Sequence, residues 1–163
     1  MVDDDRSRPT SEVNELAASP VAHSPSGTPQ TASFAVGALK LELSAAPGAA
    51  RLVVAANGSR DVYVVDPNAL AAWATEIARL LSLVPASRPS QRADYRAPFL
   101  VDREGRQSIA FEALVGDRNV GYRLLVSGAA ARVAGLMTTP DLIREIADAA
   151  AGAAVVASAA AHP

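Results

Sequence analysis

The chain has two histidines, His23 and His162, and both lie near its ends, outside the stretches with a regular apolar pattern. General base chemistry and metal ligation need an imidazole held by a rigid shell. Neither ring has one, so no serine–histidine–acid arrangement can be assembled. Cysteine is absent, which removes thiol nucleophiles, disulfides and thiolate metal sites. There is no Walker loop, no G-x-G-x-x-G after a strand and no H-E-x-x-H. Asp102 and Glu104 bring two carboxylates close together, but in a turn pattern that leaves them solvated. No catalytic residue, metal or cofactor is expected from this inventory, and the chain reads as a non-catalytic binding module.

The side chains that remain are suited to binding. Tyr63 and Tyr122 lie within strand patterns, and Arg51, Arg60, Arg118, Arg123 and Arg132 are near them in sequence. A sheet that shows rings and guanidiniums on one face binds single-stranded nucleic acid by stacking bases and neutralising phosphates. The competing reading is that these arginines are solvated residues protecting sheet edges. Strand alternation also sets Tyr122 and Arg123 on opposite faces. Trp73, the only tryptophan, falls on an apolar helical stripe and reads as a core anchor. Asn57-Gly58-Ser59 matches a glycosylation acceptor, but Asn-Gly is also the strongest short-range hairpin signal, and the hairpin explains it without sugar.

Composition limits the partners further. Half of the 163 residues are apolar and a fifth are charged, with a formal net charge of −2, so no global field draws the chain to polyanions. Lys40 is the only lysine, and the excess of arginine accompanies abundant alanine. No basic start followed by an apolar stretch marks a secretory leader. The alanine-dominated run from Ala149 to Ala161 is too short to span a bilayer and reads as a frayed helix end. A cytoplasmic location with no membrane contact is the expectation.

Residues 1–32 are rich in Ser, Pro, Thr and Asp, and read as a disordered acidic arm. Beyond it, Leu39, Leu41 and Leu43 alternate with Lys40, Glu42 and Ser44, the period of a half-buried strand. A turn at Ala45–Gly48, a strand over Arg51–Ala56, the Asn57-Gly58 hairpin and a strand over Asp61–Val65 follow, with a short leading strand around Phe34. Asp66-Pro67 then gives an N-cap and a first-turn proline. Leu70, Trp73, Ile77, Leu80, Leu81 and Val84 form the apolar stripe of a helix.

The same grammar returns after a linker at 85–97. Phe99–Val101 reads as a short strand. Ile109, Phe111 and Ala113 share one face of the next, Val120, Tyr122, Leu124 and Val126 alternate in a third, and Val133–Met137 makes a fourth. Thr139-Pro140 repeats the cap and proline, and Leu142, Ile143, Ile146 and Ala150 repeat the stripe. The fold class is α+β: two tandem antiparallel ββββα halves, at 33–84 and 98–151, packed as an intramolecular pseudo-dimer, with an Ala-rich tail at 152–163. Neither half alone has much core, and two can bury their helical faces together.

The segment Phe34–Leu81, with VYVVDPNALAAWATEIARLL from Val62 to Leu81, resembles the whirly-type and positive-cofactor-type transcriptional coactivators. RVAGLMTTPDLIREIADA, from Arg132 to Ala149, looks like a looser version of it. The resemblance implies paired four-strand-and-helix units that bind single-stranded nucleic acid across their sheets. The lysine- and aromatic-rich surface of that family is largely missing here, although arginine can replace lysine on phosphate. Two functions follow. One is sequence-tolerant single-stranded nucleic-acid binding through Arg51, Arg60, Tyr63, Arg118, Tyr122, Arg123 and Arg132. The other is a protein–protein adaptor whose sheet face or helix pair docks a partner, with the acidic arm tuning that contact.

Overall fold

A computed structural model describes residues 30–83, 93–116, 119–128 and 135–159. The first half is an antiparallel meander of β1 (Gln30–Val36), β2 (Leu39–Ala46), β3 (Ala49–Ala56) and β4 (Ser59–Val65), followed by helix α1 (Pro67–Leu83). The second repeats it with β5 (Ala93–Arg96), β6 (Ile109–Val115), β7 (Val120–Val126), β8 (Gly135–Thr138) and helix α2 (Pro140–Ala159). The two ββββα halves expected from the sequence are present.

Turn chemistry sets the register of the first sheet. Asn57 and Gly58 both take positive φ, 52° and 80°, the two-residue turn whose twist suits a hairpin. It pairs Ala56 with Ser59, and every β3–β4 pair then follows. Pro47, with its fixed negative φ, and Gly48 (φ 88°) close β2 onto β3 in another two-residue turn and pair Ala46 with Ala49. Alternation then turns Leu39, Leu41, Leu43, Leu52, Val54, Tyr63 and Val65 inward, all buried.

Three boundaries differ from the sequence expectation. The fifth strand is Ala93–Arg96, inside the stretch read as linker, and Phe99–Val101 is not a regular strand, although Leu100 still exchanges backbone hydrogen bonds with Ile109 and Ser108 at 2.8 and 2.9 Å and Val101 bridges Gln107. Pro98 has no N–H to give, so the regular ladder is interrupted there. The first strand starts at Gln30, within the stretch read as arm, and α2 runs on to Ala159 through the run read as tail. Ala153, Ala154, Val156 and Ala157 are buried there, and alanine is the best helix former. The Thr139 cap forms as expected, its Oγ1 accepting from the Leu142 amide at 3.2 Å.

The second helix crosses to the first sheet, and the first helix touches both sheets. Trp73 of α1 packs on Phe111 of β6, ring centroids 6.0 Å apart, and its Nε1 donates to the Pro98 carbonyl at 3.1 Å. The α2 helix lies along β1, β2 and β3 of the first sheet, and its Ala157 carbonyl accepts from the Gly48 amide at 3.0 Å. Small residues on both helices, among them Ala74, Ala147 and Ala154, let α1 and α2 pack along one another. Both sheets and both helices share one apolar cluster, with Leu41, Leu52, Leu70, Trp73, Ile109 and Ile146 meeting inside it.

Candidate binding face

Each sheet has one face on this core and one face away from it. On the outward face of the first sheet the register lays out rows across the strands: Lys40, Ala55 and Arg60; then Glu42, Val53 and Val62; then Ser44, Arg51 and Val64. Successive rows are about 7 Å apart, two residues along a strand. Lys40, Arg51 and Arg60 are exposed, and none has a hydrogen bond or ion pair among the described residues. They surround a small apolar floor in which Val53 is buried and Val62 is 37% exposed. Glu42 is the one carboxylate on this face.

The outward face of the second sheet carries charge too, but it is already spent. Arg96, Glu112 and Arg123 stand directly opposite one another on β5, β6 and β7. Glu112 is 3% exposed and takes ion pairs from both arginines, from Arg96 at 3.1 Å. Burial works to raise its carboxyl, but the hydrogen bonds and charges of Arg123 and Arg96 outweigh that and hold it below its ordinary value. Gly135 makes room for the Arg123 side chain, since a Cβ there would lie 2.6 Å from its Cδ.

A third polar group joins the halves. Loop residues 102–106 lie against the free edge of β4, where the Arg103 amide donates to the Val64 carbonyl at 2.9 Å and Arg106 Nη2 to the Val62 carbonyl at 3.0 Å. Covering an edge strand in this way blocks further pairing there. Asp102 organises the loop, its Oδ1 accepting from the Glu104 and Arg106 amides at 3.0 and 2.7 Å. Burial raises this carboxyl; the Arg106 amide, the Arg106 guanidinium and the Glu104 amide more than offset it, and the net shift is downward. Asp102 was read from sequence as solvated. It is 6% exposed, because the turn folds back on the carboxylate to satisfy its own amides.

The sequence-derived binding residues do not converge on one surface. Arg51 and Arg60 share the outward face of the first sheet. Tyr63 is on the opposite face, 3% exposed, with Arg106 5.0 Å over its ring and its hydroxyl donating to the Ser127 carbonyl at 3.1 Å. Its phenol is pushed up, first by burial and then by Asp61. Tyr63 is therefore corrected from a stacking candidate to a core residue: alternation along β4 turns it inward with Val65, opposite Leu52 of β3. Tyr122 also faces the core, half-buried opposite Ala113, while Arg123 points outward to Glu112. Arg118 and Arg132 lie outside the described residues. All seven aromatic rings of the chain fall within the described residues, and none is exposed.

Alternation puts Lys40 and Glu42 on the polar side of their strand but does not mark them as binding residues, although the two hairpin turns carry enough information to align them with Arg60 and Val53. The Arg96–Glu112–Arg123 row was not legible, because the fifth strand was misplaced. Among the described residues no cluster of three or more His, Asp or Glu could hold a metal ion, and no helix is long and apolar enough to cross a membrane.

Comparison adds no relative. No protein-family model, curated protein or solved structure matches the chain.

Proposed function

We propose that this protein is a non-catalytic protein–protein adaptor that docks a partner segment of acidic and aliphatic residues on the outward face of its first sheet. The observation that carries the reading is the triangle of Lys40, Arg51 and Arg60, without partners among the described residues, around the valine floor of Val53, Val62 and Val64. An apolar centre inside a charged rim is the layout of a protein interface. The rim charges supply steering and register, and the floor supplies the area that excludes water.

Single-stranded nucleic acid is the second reading, supported by the same three cations and by the resemblance to the coactivator family. It is the weaker one, because stacking on exposed rings supplies much of the affinity of such sites and the rings here face inward. Three phosphate contacts also release few counterions.

Fluorescence anisotropy separates the two. A labelled peptide alternating glutamate with leucine and valine is expected to bind the full chain at low salt. Arg51→Gln and Arg60→Gln together should weaken it by about tenfold, each lost exposed ion pair being worth up to about 1 kcal/mol. Arg79→Gln, on the exposed side of α1, serves as the control and should leave the affinity unchanged. Labelled oligodeoxythymidine should bind more weakly than the peptide. Peptide affinity indifferent to the double substitution, or no peptide binding at all, would overturn the adaptor reading; an oligonucleotide that binds more tightly than the peptide would favour nucleic acid.

A further inference from the structure

We infer that the partner segment docks as an extended strand along β3 and β4, with acidic side chains four residues apart and an aliphatic one midway. The inference rests on the adaptor reading of that face and adds the partner's conformation and spacing. Three observations support it. The first is where the cations stand. Lys40 and Arg60 share the row of Ala55, two strand spacings or about 10 Å apart. Arg51 lies two rows on, about 14 Å along the strands. Between these ends β3 and β4 present Val53 and Val62. A ligand that engages both ends must therefore hold two anionic groups about 14 Å apart and an apolar one halfway.

The second is pitch. An extended segment rises about 3.4 Å per residue and turns alternate side chains to one side. Its residues i, i+2 and i+4 face the sheet together and match the three rows one for one. A helix needs about nine residues for the same distance, and its acids at i and i+4 stand only about 6 Å apart. The third is Glu42. It lies in the middle row beside Val53, exposed, and is the one carboxylate on this face among the described residues. An acid at i+2 would meet that charge and lose water over the valines, whereas valine there extends the floor. The second sheet offers no such frame, because Arg96 and Arg123 stand in one row and both hold Glu112.

The test titrates the full chain at low salt with three labelled peptides of equal length and identical flanks, read by fluorescence anisotropy. The first has the core Glu-Thr-Val-Thr-Glu. The second, Glu-Thr-Glu-Thr-Glu, puts an acid at the midpoint. The third, Glu-Glu-Val-Thr-Thr, keeps the composition of the first but can turn only one acid to the sheet. The first should bind about fivefold more tightly than the third, the effect of one exposed ion pair. It should also bind more tightly than the second, although it carries one charge fewer. Arg51→Glu should weaken the first peptide, and lysine in place of one of its end glutamates should restore binding to that variant. Equal affinity for the first and third peptides, or tighter binding of the second, overturns the spacing. The adaptor reading stands in that case if the binding still falls with Arg51→Gln and Arg60→Gln together. No binding of any of the three removes the adaptor reading and this inference with it.

Discussion

Trp73 shows how one side chain can tie the two halves together. It projects from the helix of the first half, stacks at a tilt on Phe111 of the second sheet and donates to Pro98 in the loop between β5 and β6. Trp73→Ala removes a buried ring and leaves a cavity that partly collapsed neighbours cannot fill. It should cost about 3–5 kcal/mol, read as a lower denaturation midpoint; an unchanged midpoint would contradict this packing. Asp102 makes a second residue-scale case, in which charge rather than volume matters. Its folded pKa lies below the ordinary value of 3.8, so the folded state binds its proton less readily than the unfolded chain does. Its stabilising contribution is complete above about pH 5 and is lost as pH falls through the depressed folded value. Asp102→Asn keeps an acceptor for the two amides and removes the titration. Melting temperature against pH should therefore fall less steeply in the variant between about pH 5 and pH 3, with some slope left because Glu112 titrates in the same sense.

At the scale of elements, helices that cross between the sheets make the halves interdependent. The α1 stripe has its aromatic anchor on the second sheet, and α2 covers the first. A fragment holding only one half would lose the other half's share of the common core and expose part of Leu41, Leu43 and Leu52, or of Phe111 and Leu124. Fragments 1–88 and 89–163, prepared separately, should each lack a cooperative thermal transition, and mixing them should restore one; calorimetry on the three samples checks it. This arrangement also marks the limit of what the sequence discloses. Leu70, Trp73, Ile77 and Leu80 announce a helix with a buried stripe, and the cap-and-proline pairs at Asp66 and Thr139 announce where each helix starts. Periodicity reports which face is apolar and is silent on which sheet meets it. In the first half the turns at Pro47-Gly48 and Asn57-Gly58 fix the pairing, and with it the company of Arg51 and Arg60. Nothing comparable marks β5, which holds only four residues and ends before a proline. With β5 misplaced, the opposition of Arg96 to Glu112 could not be read. Tyr63 was a different failure. Its alternation with Val65 was visible, but an aromatic with a hydroxyl fits either face, and only the register against Leu52 decides.

Across the whole molecule, charge is distributed unequally around a nearly neutral total. The net value of −2 conceals an N-terminal stretch at −3, so the remainder of the chain is slightly basic. Among the described residues, Lys40, Arg51 and Arg60 have no ion pair, and they share one sheet face. The described residues draw their stability from the apolar cluster shared by both sheets and both helices, and residues 1–29, rich in Ser, Pro, Thr and Asp, have little apolar surface to add to it. Deleting residues 1–29 should therefore move the melting temperature by no more than a few degrees at low salt, since about 1 kcal/mol shifts a domain of this size by roughly 4 °C. At high salt the two melting curves should coincide, because screening removes what the segment adds. A loss of cooperative unfolding in the truncated chain, persisting at high salt, would mean that the segment contributes to the core and that its composition misleads.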